Sequence, residues 1–180
     1  MKETGTITET AEFTGPIAVI IPTYNERDNI RLITAGVRSA VPAAGLLIVD
    51  DNSPDGPGEI ADALAAADKR IHVLHRRAKT GLGAANVAGF QAALDRGYDT
   101  IVEMDADGSH QPEELPKLLT ALTVADIALG SRWVPGGDAV NWPKSREILS
   151  RAGNAYARLM LGIPLRDMTG GYRAYRAGAL

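Results

Sequence analysis

Asp105 and Asp107, in Glu103-Met104-Asp105-Ala106-Asp107-Gly108-Ser109-His110, directly follow an apolar run. Carboxylates two apart at the end of a buried strand can converge on one hard cation. Water and phosphate oxygens would complete its octahedron, which suits magnesium or manganese. Two unpaired acids there would be costly, which argues against a purely structural role. Another carboxylate cluster is Val49-Asp50-Asp51-Asn52-Ser53-Pro54-Asp55-Gly56. Adjacent acids repel unless a cation or a pair of hydroxyls lies between them. Asp51 is assigned to a ligand such as a ribose, and Asp55 and Gly56 to a tight turn.

In Pro22-Thr23-Tyr24-Asn25-Glu26, a ring and a carboxylate could stack on a flat base and accept hydrogen bonds from its edge. The competing reading is a helix start capped by Asn25 or Asp28. The run Arg76-Arg77-Ala78-Lys79-Thr80-Gly81-Leu82-Gly83 brings cations and glycines to the start of a helix, where an anion is favoured. It matches neither a P-loop nor a dinucleotide fingerprint. His110, beside Pro112, reads as a capping or loop histidine rather than a ligand.

The elements that must position these residues alternate. Ile17–Ile21, Leu46–Val49, Ile71–Leu74, Thr100–Met104 and Asp126–Leu129 are apolar runs expected of strands covered on both faces. Asn29–Val41, Pro57–Ala67, Gly83–Arg96 and Pro112–Leu122 have helical length and composition, with Pro57 and Pro112 suited to first turns. Strand-helix alternation predicts an α/β sandwich with a mainly parallel sheet, whose ligands bind beyond the carboxyl ends of the strands. Each cluster above sits at such an end. A basic amphipathic helix is expected over Ser145–Leu161, packed on the sheet.

The chain has 180 residues, 45% of them hydrophobic and 23% charged, and no cysteine. Disulfides, thiolate metal sites and cysteine nucleophiles are thereby excluded. The net charge of −3 argues against a general nucleic-acid binder. That total is the difference between −8 over residues 1–131 and +5 over residues 132–180. Five of the nine aromatics, Trp133, Trp142, Tyr156, Tyr172 and Tyr175, fall in the basic part. One portion looks built for a metal and the other for an anion or an anionic surface. Residues 1–16 read as a flexible polar tail and residues 17–180 as one domain. No apolar run approaches the roughly 18–20 residues of a membrane span.

Taken in register, Ile20-Ile21-Pro22-Thr23-Tyr24-Asn25-Glu26, Val49-Asp50-Asp51-Asn52-Ser53-Pro54-Asp55-Gly56, Gly81-Leu82-Gly83, Met104-Asp105-Ala106-Asp107, Gly130-Ser131-Arg132 and Gly170-Gly171-Tyr172-Arg173 resemble the inverting GT-A-fold glycosyltransferases of family 2. Within them the chain is most similar to the polyprenol (dolichol) phosphate mannosyltransferases. The resemblance implies a GT-A, Rossmann-like α/β/α sandwich with a mainly parallel mixed sheet. It implies a guanosine site at Pro22, Tyr24, Glu26 and Asp51, within a donor set that also includes Val49, Lys79, Gly81, Asp105, Ala106, Asp107 and Arg132. Asp105 and Asp107 would belong to the Mg2+ or Mn2+ diphosphate site, with Asp107 the direct ligand. Some relatives supply a glutamine two positions on, where this chain has Ser109, so Ser109, Gln111 or a water would fill that place. Asp105, Asp107 and Arg132 would carry catalysis, and Arg132 and Arg173 would face the acceptor phosphate.

The implied reaction moves mannose from GDP-mannose to a polyprenyl phosphate with inversion, at the inner face of a membrane reached peripherally or through an anchoring partner. A phosphate is already anionic near neutral pH, so no dedicated base is required. His72, His75 and His110 accordingly show no catalytic arrangement. The basic residues Arg132, Lys144, Arg146, Arg151 and Arg158 could receive the lipid phosphate and lean on an anionic membrane. The resemblance also implies that a C-terminal part is missing. A UDP-sugar donor is the alternative within the family. Outside it stand a phosphatase of the haloacid-dehalogenase type, which would carry Asp-x-Asp on its first strand, and a nucleotide-binding protein without turnover.

Overall fold

The computed structural model describes residues 15–134, 137 and 143–180. Most of the expected N-terminal tail and Trp142 lie outside them. The elements are β1 (Ile17–Thr23), α1 (Ile30–Ala40), β2 (Gly45–Asp50), α2 (Pro57–Ala67), β3 (Ile71–His75), α3 (Leu82–Asp95) and β4 (Thr100–Glu103). A 3-10 turn at Pro112–Glu114 then leads into α4 (Leu115–Ala121), followed by β5 (Ile127–Leu129), α5 (Lys144–Leu161) and β6 (Arg173–Arg176).

The strands form one six-stranded sheet in the order β3-β2-β1-β4-β6-β5. β3, β2, β1 and β4 run parallel, and β6 is antiparallel to both of its neighbours. Every residue of β1, β2 and β4 is buried, because helices cover both faces. Alternation along β1 divides the core. Ile17, Val19 and Ile21 pack with Ile30, Ile33 and Val37 of α1, Ala61 of α2 and Leu115, Leu118 and Leu119 of α4. Ala18 and Ile20 face α3 through Ala85 and Ala93. Each fully buried isoleucine contributes roughly 1.5–3 kcal/mol of transfer free energy. The approach of α3 depends on Gly89, where a Cβ would stand 2.5 Å from Ile20 Cγ2. A larger residue there must push the helix off the sheet.

The strand order reverses between β1 and β4, since α1 leads from β1 to β2 on one side and β4 returns to the other. In an open parallel sheet such a switch point leaves a crevice beyond the carboxyl ends. Thr23 pairs with Asp50 and Ile20 with Glu103, so the loops after β1, β2 and β4 leave along one sheet edge.

Three expectations are corrected. The run ending at Leu129 is an edge strand with Ile127 43% exposed, not one covered on both faces. The cause is β6, which inserts between β4 and β5; its arginine-flanked sequence carries no apolar run to announce it. α5 does not bury an apolar face on the sheet. Asn154 is its only buried residue, and Ile148, Leu149, Tyr156, Leu159 and Met160 are exposed. Neither Asn25 nor Asp28 caps α1: its N-cap position is Asn29, whose amide donates to Glu26 Oε2 at 2.7 Å.

Candidate active site

A cavity of about 270 Å3 opens at the switch point. Pro22, Thr23, Tyr24 and Glu26 reach it from the end of β1, Asp51 from β2, and Asp105, Ala106 and Asp107 from β4. Lys79, Leu82 and Ala85 close it from the loop after β3 and the start of α3. Glu26 and Asp107, 81 positions apart in sequence, thus share one wall through sheet register.

Val49, Gly81 and Arg132 do not line it. Val49 is wholly buried under α3, where its Cγ2 limits what Gly89 could carry. Gly81 stands at the N-cap of α3 with φ +100°, a conformation that favours glycine.

Two polar surfaces of the cavity are already engaged. Asp51, 4% exposed, accepts from Arg76 Nη1 at 2.5 Å, and Arg76 also donates to Thr80. Lys79 Nζ lies 3.7 Å from the centroid of the Tyr24 ring, a cation–π contact over the face on which a base would stack. The loop Arg76–Thr80 therefore covers the β1 and β2 residues. Beneath it, Asp50 is a structural acid: Oδ1 accepts from the Ser53 hydroxyl at 2.7 Å and amide at 3.2 Å. Asp55 ties the second loop to the first, its Oδ2 accepting from the Arg27 amide at 3.1 Å.

The two central carboxylates differ. Burial pushes the Asp105 carboxyl up, with His110 opposing and Asp107 adding to the rise. Burial also pushes Asp107 up, but the Ser109 hydroxyl and amide, at 2.6 and 2.9 Å from Oδ1, outweigh it and hold Asp107 low. The pair offers hard oxygen donors from one loop. Among the described residues no third His, Cys, Asp or Glu joins them as a metal-binding group. This donor set fits a magnesium or manganese ion that takes its other oxygens from water and a diphosphate. Ser109 directs its hydroxyl proton to Asp107, and Gln111 donates to the Gly108 carbonyl at 3.2 Å.

His110 has a larger part than a loop cap. Its Nδ1 accepts from the Asp105 amide at 2.9 Å, which puts the proton of the neutral ring on Nε2, 3.6 Å from Asp105 Oδ2. Burial lowers its pKa and favours that neutral form. The ring stacks on Tyr172, centroids 5.0 Å apart and 14° from parallel. Gly171 closes the arrangement: a Cβ there would lie 3.3 Å from both Asp105 Oδ2 and His110 Cε1. The only sequence signal for this contact was the Gly-Gly-Tyr-Arg motif, with no indication of what it touched.

Both arginines expected at the acceptor phosphate have internal acceptors. Arg132 grips Asp167 with Nε and Nη2, each at 2.7 Å, and Nη2 reaches Thr169 Oγ1 at 2.9 Å. Arg173 donates to the carbonyls of Gly170 at 2.8 Å and Met168 at 3.2 Å. Sequence reading missed Asp167, an isolated acid in a basic stretch.

Residues 18–180 match the glycosyl transferase family 2 model. The chain belongs to that family. The family places the Asp-x-Asp loop on a glycosyltransferase and removes the phosphatase reading. A relative from Micrococcus luteus, named undecaprenyl-phosphate mannosyltransferase, is 58% identical over 91% of this chain and 68% of its own length. The polyprenol monophosphomannose synthase of Mycolicibacterium smegmatis is 57% identical over 90% of this chain and 62% of its own. Among solved structures, a mannosyltransferase from Pyrobaculum calidifontis in complex with GDP-Man and Mn2+ superposes with a TM-score of 0.62 at 18% identity, covering 92% of this chain and 45% of that one. That likeness shows the GT-A fold. The chain thus spans between about half and two thirds of the length of these proteins.

Proposed function

We propose that this family 2 domain transfers mannose from GDP-mannose to a polyprenyl phosphate with inversion. The observation that carries the reading is the convergence of Tyr24, Glu26 and Asp51 with Asp105 and Asp107 in one cavity. The names of its relatives support the sugar and the lipid. Tyr24 would stack on the base once Lys79 moves to the diphosphate. Glu26 and Asp51 would accept from the guanine edge and ribose hydroxyls, with Pro22 lining the pocket beside them.

Asp107, held anionic by Ser109, would bind Mg2+ or Mn2+ directly, and Asp105 would supply a further carboxylate oxygen to the same site. When bound, the cation neutralises charge that develops on the leaving diphosphate. An acceptor phosphate oxygen forms the bond to the anomeric carbon, and the bond from that carbon to the diphosphate breaks, its electron pair leaving with GDP. No proton need move. Arg132 would add positive potential beside the leaving group.

Among the described residues no helix is long and apolar enough to cross a membrane. Contact with the inner membrane face is proposed through the outward apolar side of α5, directly or through an anchoring partner.

Isothermal titration with GDP, UDP and GDP-mannose, with and without manganese, tests the donor. Manganese-dependent binding of GDP in preference to UDP, weakened by Asp107→Ala, is expected. A preference for UDP would point to a UDP-sugar donor, and nucleotide binding without transfer to a short-chain polyprenyl phosphate would point to a binding protein. Failure of every nucleotide to bind would sink the assignment.

A further inference from the structure

A surface helix of a globular domain usually buries an apolar stripe. In α5 the single buried residue is Asn154, 2% exposed. Leu149, Tyr156 and Leu159, which a 3.6-residue period puts on the opposite side of the helix, are exposed. The inward position is thus held by an amide, and both of its ends are used. Nδ2 donates to the Ser150 carbonyl at 2.9 Å, and Oδ1 accepts from the Met168 amide at 2.7 Å. These partners fix which end is which, since a carbonyl can only accept and a backbone N–H can only donate. Apolar contact is non-directional and lets a helix slide, whereas a short hydrogen bond sets one register.

Met168 belongs to a segment that is tied down on both sides. Before it, Asp167 grips Arg132. Its own carbonyl accepts from Arg173 Nη2 at 3.2 Å, and the Gly170 carbonyl accepts from Arg173 Nε at 2.8 Å. A Cβ on Gly170 would lie 2.9 Å from the Gly130 carbonyl oxygen, so the segment has little room to shift. It ends at Gly171, packed against Asp105 Oδ2 and His110 Cε1. The amide that Asn154 holds is therefore three positions from the glycine that abuts the carboxylate.

We propose that Asn154 is a positioning residue for the carboxylate loop: by holding the Met168 amide it sets how closely Gly171 approaches Asp105. The proposal rests on the cation and donor reading given above. It makes the placement of α5 a determinant of Asp105 geometry, although α5 itself lines no part of the donor cavity. If Asn154 only filled space, a leucine of similar volume would serve as well. If it positions the segment, a leucine leaves the Met168 N–H without an acceptor, and an aspartate, which keeps one, does not.

The test compares Asn154→Leu and Asn154→Asp with the native chain. In the metal-free protein, nuclear magnetic resonance reads amide exchange at Met168 and the chemical shift of the Asp105 amide. Electron paramagnetic resonance then reads manganese affinity in the presence of GDP. The Leu variant should exchange the Met168 amide about tenfold faster and shift the Asp105 amide. It should lose roughly three- to tenfold in manganese affinity, the lower edge of what orienting partners contribute, because Asn154 acts through a loop. The Asp variant should recover part of each. Asn154→Ala takes the place of the Leu variant if that one does not fold. An unchanged Asp105 amide or an unchanged manganese affinity in the Leu variant would overturn the proposal. So would equal losses in the Leu and Asp variants, which would assign the docking of α5 to packing alone. If the native chain binds no manganese with GDP, it is the donor reading that fails, and the Asp105 amide still decides this one.

Discussion

Arg132 and Asp167 form a bidentate pair across thirty-five residues, with two side-chain contacts of 2.7 Å and a third, at 3.2 Å, from the Arg132 amide. The Asp167 side chain is wholly buried and that of Arg132 is 24% exposed. The pair fastens the loop after β5 to the segment before β6. Breaking such a pair leaves a charge without its partner. Asp167→Asn should cost about 2–3 kcal/mol, below the usual range for buried pairs because water can reach Arg132. Urea unfolding measures this. Burial pushes the Asp167 carboxyl up, but Arg132 outweighs burial and holds it low. Its contribution is therefore present above the ordinary aspartate range and is lost as pH falls through the lowered value; the Asn variant should lack that acid-side loss.

His110 should act through Asp105. His110→Phe keeps a ring to stack on Tyr172 but removes the acceptor for the Asp105 amide, and His110→Asn restores an acceptor without the ring. Orienting partners of metal ligands typically matter by 10–100-fold, so the Phe variant should lose about tenfold in manganese affinity in the presence of GDP. The Asn variant should recover part of it. Manganese titration followed by electron paramagnetic resonance distinguishes this from general destabilisation, which would leave the two variants alike.

Gly171 tests the same contact from the other side. In Gly171→Ala the new methyl group meets Asp105 Oδ2 and His110 Cε1 at 3.3 Å, so one of them must give by a few tenths of an ångström. A several-fold loss of manganese affinity with little change in thermal midpoint is expected. An unchanged affinity would mean that the loop relaxes without disturbing the carboxylate.

His75 gives the basic-side dependence of stability. A hydrogen bond to Asp62 at 3.0 Å raises its pKa, burial opposes the rise, and Asp50 at 3.6 Å supports it. The stabilisation is complete below the unfolded value near 6.5 and declines as pH rises through the raised folded value. The urea midpoint of the native chain should fall across that window. His75→Gln should flatten the curve there, and a parallel fall in the variant would assign the slope to another group.

Strand-helix alternation and the position of the chemistry at strand ends were legible from sequence, because burial on both faces leaves continuous apolar runs and a parallel sheet puts its loops at one edge. Five strands and four helices could be read this way. β6 could not, since its pairing partners β4 and β5 lie far from it in the chain and its own residues include two arginines. Residue types likewise named Tyr24, Glu26, Asp51, Asp105 and Asp107 as ligand groups. Only tertiary structure decided that they share a cavity, that Arg132 and Arg173 turn inward, and that His110 and Gly171 brace Asp105. Spacing reports which face a side chain takes within its own element; which distant element supplies its partner is settled by sheet order and packing, where an arginine finds the nearest buried acceptor.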